Sequence, residues 1–154
     1  LGNICRSPLA QGVFEALVKE EGLQDRIIIS SAGVSGWHVG NPPDARMQQT
    51  ARDHGIHLNS RARQFQSSDF EQMDLVLAMD HSNLSALKQM SAEPELQDKL
   101  FLFRSFDPQH NNDLEVPDPY YGGGKGFETV YQIVDRTCPK VLDHLKAQLA
   151  KKNE

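Results

Sequence analysis

Apolar residues recur along much of the chain at helical spacing. The stripe in the first third predicts a helix from about Ser7 to Glu21, with one buried face. The same periodicity predicts a long C-terminal helix from about Gly126 to Lys151. Pro139 falls inside that second helix and is expected to kink or interrupt it, because proline has no N–H to donate.

Short apolar runs alternate with these helices and predict the strands of a sheet. The runs are Ile27–Ile29, Leu75–Met79 and Leu100–Phe103. Shorter helices are expected between them: one capped by Asp44 and ending near His54, one with a Ser68–Glu71 capping box, and one from Ser82 to Met90. The alternation predicts an α/β fold, a three-layer sandwich with a central parallel sheet flanked by helices.

Composition and charge narrow the class of protein. The 154 residues suffice for a single domain, and the hydrophobic fraction of 38% is that of an ordinary globular chain. A formal net charge of -5 argues against a nucleic-acid partner or an anionic membrane surface. The two cysteines, Cys5 and Cys138, fit neither a zinc spacing nor a disulfide framework, which favours a reducing compartment. No run is long enough to cross a bilayer.

The opening residues have the features of a loop that binds phosphate at the start of a helix. Gly2 permits close backbone approach, and Asn3 tolerates a strained loop conformation. Arg6 offers a planar set of donors to phosphate oxygens, Ser7 is expected to cap the helix, and Pro8 suits its first turn. In a phosphatase loop of the Cys-x5-Arg type, the nucleophilic cysteine would stand one place ahead of Leu1.

This octet resembles the signature loop of the low-molecular-weight protein tyrosine phosphatases. Three further stretches support the resemblance, which extends to about Leu145: Gly40–Asp44, Asp118–Gly122 and Phe127–Tyr131. The resemblance implies a phosphate site made by Leu1, Gly2, Asn3, Ile4, Cys5, Arg6 and Ser7. It also implies a central strand just before the loop, so residues 1–154 are expected to form one phosphatase domain that is incomplete at its N-terminus.

The chemistry implied by the resemblance is two-step hydrolysis through a phosphocysteine, with no metal or cofactor. Arg6 would bind the phosphoryl oxygens, and Asp118 would be the general acid. Substrates would be phosphotyrosine proteins or small aryl phosphates in the cytoplasm, and inorganic phosphate would be the product. Residues 1–154 alone, without the cysteine, are expected to bind phosphate with little or no turnover.

Further roles follow from the same resemblance. Trp37, Tyr120 and Tyr121 would form the walls of the substrate cleft, and the two tyrosines would be candidates for phosphorylation. Asn3, Ser31 and His54 would support the phosphate loop through hydrogen bonds.

Several alternatives remain open from the sequence. Asp44, Asp80 and Asp107 are weaker candidates for the acid, with Asp44 favoured as a helix cap and Asp80 as a support at a strand end. Cys5 adjoins Arg6, which disfavours it as the nucleophile. A metal pair at His54 and His57 lacks further ligands. Alternative functions are a non-catalytic phosphate-binding form of the fold and an arsenate reductase, for which Cys138 alone would have to serve as the relay.

Overall fold

The architecture is that of a computed structural model, which describes residues 4–91, 93–120 and 124–152. These ranges contain six α-helices, two strands and one 3-10 turn. The helices are α1 (Arg6–Glu20), α2 (Ala45–Asp53), α3 (Ser67–Gln72), α4 (His81–Met90), α5 (Pro94–Gln97) and α6 (Gly124–Lys152). The strands are β1 (Val76–Ala78) and β2 (Leu100–Leu102), and the 3-10 turn is Phe103–Phe106.

The two strands pair in parallel, with Val76 opposite Leu100 and Ala78 opposite Leu102. Helix α1 packs on α6, α2 packs on the same long helix, and α4 packs on both strands. The core between α1 and α6 includes Leu9, Val13, Val130 and Val134. The predicted α/β class, a parallel sheet flanked by helices, is therefore confirmed.

Helix α1 confirms the first periodic stripe. Leu9 and Val13 are buried and Leu17 is half-buried, so one face of the helix meets the core. The helix begins at Arg6, which places Ser7 in its first turn instead of at the cap. It ends before Gly22, whose φ of 72° is a left-handed conformation that glycine adopts without strain.

Helix α6 confirms the second stripe but corrects the expected interruption. Its 29 residues run through Pro139 without a break. Pro139 and Asp135, whose carbonyl loses its helical partner there, both lie on the exposed side of the helix. Water can satisfy that carbonyl, so the helix continues.

The strand predictions had mixed outcomes. The two runs at residues 75–79 and 100–103 are confirmed as β1 and β2, each shortened. The strand at Ile27–Ile29 is wrong: this segment forms no ladder with any described residue, and Ile28 is 89% exposed. The capping box also lies two residues earlier than predicted, because Gln66 N donates to Asp69 Oδ2 at 2.7 Å and Ser68 lies inside α3.

None of the helices in the described ranges has both the length and the apolar character needed to span a membrane.

Candidate active site

The candidate site begins where a loop enters α1. Cys5 is the N-cap residue and makes no side-chain capping bond, while Leu9 N donates to its carbonyl at 3.3 Å. Asp44 N donates to Ile4 O at 2.7 Å, which ties the start of α2 to this loop. The first three predicted phosphate-binding residues, Leu1, Gly2 and Asn3, lie outside the described residues.

Arg6 is buried, with only 4% of its side chain exposed. Its Nη1 donates to Asp80 Oδ2 at 2.8 Å and to Val116 O at 2.8 Å. The guanidinium is therefore held through Nη1 by a carboxylate and by a backbone carbonyl. One terminal nitrogen is committed to the protein, which orients the planar group at the start of α1.

Asp80 follows the carboxyl end of β1, as expected for a residue that supports the site from a strand end. Its Oδ1 accepts from Asn83 N at 2.7 Å, so the same carboxylate also caps α4. Burial favours the neutral acid, but the bonds from Asn83 N–H and Arg6 outweigh it and lower the pKa of Asp80. Asp80 is therefore an anion that holds Arg6, and this role does not suit a general acid.

A cavity of about 630 Å³ connects the predicted catalytic residues. Its lining includes Cys5, Arg6, Ser7, Asp118 and Tyr120. Residues 27–34 and residues 75–79 also line it, and the part of the cavity lined by these two segments is called the groove below. The structure thus brings Arg6 and Asp118 to one cavity although 112 positions separate them in the chain.

Asp118 is exposed at the mouth of this cavity, and its Oδ1 accepts from Tyr120 N at 3.0 Å. The loop that carries it is anchored earlier by Val116, whose N–H donates to Met79 O at 2.8 Å. Because Arg6 binds the carbonyl of Val116, the predicted phosphate ligand and the loop of the predicted acid are in direct contact. A carboxyl group held at a solvent-open mouth can exchange protons with substrate and water.

Cys5 is buried, and its environment keeps the thiol neutral. Burial, followed by the nearby carboxylates of Asp44 and Asp118, raises the pKa of Cys5 to about 12. A thiol with this pKa is a poor nucleophile near neutral pH. The structure therefore agrees with the sequence argument against Cys5 as the attacking group.

The aromatic walls of the cleft differ from the expectation. Trp37 is 91% exposed and does not line the cavity, whereas its neighbour His38 does. His38 faces Tyr120 with ring centroids 6.0 Å apart, so these two rings form the described rim. Tyr121, the third predicted wall residue, lies outside the described residues.

The predicted supporting residues have separate locations. Ser31 lines the cavity and its Oγ donates to Gln11 Oε1 at 2.6 Å. His54 instead lies at the end of α2, where Nε2 is 2.9 Å from Glu128 Oε1 and the ring stacks on Tyr131 at 3.6 Å. His54, Glu128 and Tyr131 do not line the cavity, so the contacts described for His54 join α2 to α6, and none of them reaches the described part of the phosphate loop.

The two remaining acid candidates have structural roles. Asp44 caps α2 by accepting from Arg46 N at 2.8 Å. Burial opposes ionisation of Asp44, but the bonds from Arg46 outweigh it and lower the pKa. Asp107 is fully buried between Arg104 and Arg136. Burial again opposes ionisation, but the hydrogen bonds from Arg136, from Gln109 N and from Arg104 lower the pKa of Asp107 to about 2.

Sequence reasoning missed Arg46. Its Nη2 donates to Tyr120 O at 3.0 Å, which places its guanidinium against the loop that carries Asp118. The available signal was its position two residues after the cap residue Asp44, just beyond the Gly40–Asp44 stretch that resembles the family. That position shows that Arg46 lies near a loop, but not which carbonyl it reaches.

The described ranges contain no group of three or more His, Cys, Asp or Glu side chains placed to hold a metal ion. His57 lines a separate small pocket beside α1, away from His54 and its partner Glu128.

Comparisons with known proteins agree with this geometry. The family model described as low molecular weight phosphotyrosine protein phosphatase matches residues 1–153. The chain is 43% identical over 149 residues to a low molecular weight protein-tyrosine-phosphatase of Streptomyces coelicolor, covering 96% of this chain and 91% of that protein. It is 46% identical over 144 residues to the low molecular weight phosphotyrosine protein phosphatase of Mus musculus, covering 93% and 90%.

A crystal structure of a protein tyrosine phosphatase from Entamoeba histolytica, with Hepes in the active site, superposes with a TM-score of 0.91 at 35% identity. The superposition covers 96% of this chain and 94% of that one. The family model matches almost the whole chain, these two relatives are more than 40% identical to it, and the architecture is shared. The chain therefore belongs to the low molecular weight phosphotyrosine protein phosphatase family.

Proposed function

We propose that this protein is a protein tyrosine phosphatase that hydrolyses phosphotyrosine and aryl phosphates through a phosphocysteine intermediate. The nucleophile is a cysteine immediately before Leu1, Arg6 is the phosphate ligand and Asp118 is the general acid. The single observation that carries the proposal is that Arg6 and Asp118 line one cavity at the start of α1. A fixed guanidinium and an exposed carboxyl group are the two elements that cleavage of an aryl phosphate needs.

The first step transfers the phosphoryl group to sulfur. The thiolate attacks phosphorus, an S–P bond forms and the P–O bond to the aryl group breaks, while Asp118 donates its proton to the leaving oxygen. Arg6 and the N–H groups at the start of α1 stabilise the charge on the equatorial oxygens. The same positive groups favour the thiolate over the thiol before attack.

The second step releases phosphate. Asp118, now a carboxylate, takes a proton from water, the water oxygen attacks phosphorus, and the S–P bond breaks to return the thiolate. Inorganic phosphate is then the product. The exposure of Asp118 at the cavity mouth supports this second role, because water must reach it.

We place the strand that carries the cysteine in the groove between residues 27–34 and 75–79. The groove leads to Cys5 and Arg6, and its walls include the apolar side chains of Ile27, Leu75 and Leu77. An extended segment there would run beside β1 and deliver the following residues to the loop. With its two described cysteines free and buried, the protein fits a reducing cytoplasmic environment.

Residues 1–154 without that cysteine are proposed to bind phosphate without turnover. Their two thiols, Cys5 and Cys138, are both buried, and burial followed by neighbouring carboxylates raises the pKa of each to about 12. These inert thiols also disfavour a cysteine relay of the arsenate-reductase type.

The test compares two forms of the protein with phenyl phosphate as substrate. A form with a strand and cysteine before Leu1 should turn over, and Asp118→Ala in that form should lower kcat/KM by roughly 10²–10⁴-fold. Residues 1–154 alone should bind vanadate, measured by calorimetry, but release no phenol. Equal turnover by the two forms, or full activity of Asp118→Ala, would contradict the proposal.

A further inference from the structure

Two arginines hold the loop of Asp118, one on each side. Arg6 donates to the carbonyl of Val116, two residues before Asp118. Arg46 donates to the carbonyl of Tyr120, two residues after it. The first arginine belongs to the phosphate site, whereas the contacts described for the side chain of the second are with Asp44, Tyr120 and Phe127.

The guanidinium of Arg46 is itself fixed on the protein. Its Nε and Nη2 lie 3.2 Å and 3.0 Å from the two carboxylate oxygens of Asp44. Asp44 in turn caps α2 and donates its backbone N–H to Ile4 O, at the entrance to α1. A continuous set of hydrogen bonds therefore leads from the phosphate loop through Asp44 and Arg46 to Tyr120.

Two aromatic rings also contact the guanidinium of Arg46. Its Cζ lies 4.7 Å from the ring centroid of Phe127, a buried residue of α6, and 5.7 Å from that of Tyr120. Cation–π contacts of this kind fix the plane and position of a guanidinium. Because Phe127 belongs to α6, Arg46 ties the acid loop to two helices at once.

The contact reaches Asp118 through one residue. Tyr120 presents its carbonyl to Arg46 and its N–H to Asp118 Oδ1 at 3.0 Å. When the carbonyl is held, the residue that orients the carboxylate is held as well. A general acid loses much of its effect when it moves by about 1 Å, at a cost of about 10²-fold in rate.

We propose that Arg46 is a positioning residue for the acid step, which fixes the Asp118 loop through the carbonyl of Tyr120. This inference rests on the proposed function, in which Asp118 protonates the leaving aryl oxygen. It predicts that removing the guanidinium weakens acid catalysis while phosphate binding by Arg6 is kept.

The experiment uses the cysteine-bearing form of the protein and two substrates, p-nitrophenyl phosphate and phenyl phosphate. The first has a good leaving group that needs little protonation, and the second has a poor one. Arg46→Gln should lower kcat/KM for phenyl phosphate by roughly 10–100-fold and for p-nitrophenyl phosphate by less than about 3-fold. The inhibition constant of inorganic phosphate should change by less than about 2-fold, since Arg6 is untouched.

Three comparisons make the result specific. Arg52→Gln, on the other end of α2 and bonded only to Gln49 among the contacts described for its side chain, should leave both substrates unchanged. Arg46→Lys keeps the charge but not the planar fork and should give a smaller loss than Arg46→Gln. In an Asp118→Asn background, Arg46→Gln should have almost no further effect, because the acid it positions is gone.

Different results would overturn the positioning role of Arg46 and the acid role of Asp118. If Arg46→Gln lowers kcat/KM equally for both substrates, or adds its full effect to Asp118→Asn, the positioning role is overturned while the acid role stands. If Asp118→Asn itself does not make the rate more sensitive to the leaving group, the acid assignment fails and the inference falls with it. Amide hydrogen exchange at Tyr120, faster in Arg46→Gln than in Arg52→Gln, reports the positioning without turnover, and equal exchange overturns it.

Discussion

Arg6 and Asp80 form a largely buried ion pair, with Nη1 of the arginine 2.8 Å from Oδ2 of the aspartate. Only 4% and 19% of the two side chains are exposed. Removing one partner of such a pair lowers the free energy of unfolding, because the other charge stays buried without an opposite charge beside it. It also leaves Asp80 with two duties, since the other carboxylate oxygen caps α4.

These two duties can be separated by two substitutions. Asp80→Asn keeps a good helix cap but removes the charge that faces Arg6, so we expect a loss of about 1–3 kcal/mol in the free energy of unfolding. Asp80→Ala removes the cap as well and should cost about 1 kcal/mol more. Urea denaturation of both variants measures the difference. Equal stability of the wild type and Asp80→Asn would show that the ion pair contributes nothing.

Asp107 should make the stability depend on pH in the acid range. Its folded-state pKa of about 2 lies below the ordinary value of 3.8, so the ionised form stabilises the folded protein. This stabilisation is complete above about pH 5 and is lost as the pH falls through 3.8 towards 2. The shift corresponds to about 2 kcal/mol.

Urea denaturation between pH 5 and pH 2.5 tests this expectation for Asp107. The wild type should lose more stability over this range than Asp107→Asn does, and Arg136→Gln should show an intermediate loss because one of the two guanidinium partners remains. Asp143→Asn, at an exposed position of α6, is the matched control and should follow the wild type. A parallel loss in Asp107→Asn and the wild type would refute the assignment.

The exposed Trp37 should act on large substrates. At 91% exposure its indole has apolar surface to offer to residues that flank a phosphotyrosine, whereas it lines no part of the cavity that would hold the phenyl ring. We expect Trp37→Ala to raise KM for a phosphotyrosyl peptide by roughly 3–10-fold, with little change for phenyl phosphate. Stability should change by less than about 0.5 kcal/mol. An equal rise in KM for both substrates would place the indole inside the cleft.

His54 should matter for stability and not for phosphate binding. His54→Ala removes both the stack on Tyr131 and the contact with Glu128, and we expect a loss of about 1 kcal/mol. Glu128→Gln removes only the charge and should cost less than about 0.5 kcal/mol. The inhibition constant of phosphate should be the same in both variants. A weaker affinity for phosphate in His54→Ala would restore the role that the sequence suggested.

Local patterns were sufficient to predict five of the six described helices and part of the sheet, whereas the short helix α5 was not predicted. The four-residue spacing of Leu9 and Val13 identifies a buried helix face whatever that face packs against. The run at Ile27–Ile29 carried the same kind of information for a strand, but a strand also needs a partner, and apolar residues do not specify one. The interruption expected at Pro139 does not occur for a related reason, since the effect of a proline depends on whether the affected carbonyl faces water.

The same distinction holds for the residues of the site: local sequence was enough to predict some of them, while others depend on how the helices pack. Arg6 and Asp118 could be predicted as site residues because each belongs to a stretch of chain with a recognisable order of residues. The bond from Arg46 to Tyr120 could not, because it joins residues 74 positions apart whose proximity is decided by the packing of α2 on α6. The environment of Trp37 could not be predicted either: the resemblance implied a wall of the cleft, whereas the side chain is 91% exposed and does not line the cavity.

The groove beside β1 has a consequence for the choice of protein form. In the described part of the sheet, β1 pairs only with β2, and the groove on its other side is where we place the strand that carries the cysteine. A form without that strand would leave this edge of β1 open, and open edges recruit extended segments from neighbouring molecules and seed aggregates. Aggregation at high concentration should therefore distinguish residues 1–154 alone from the longer form, independently of turnover.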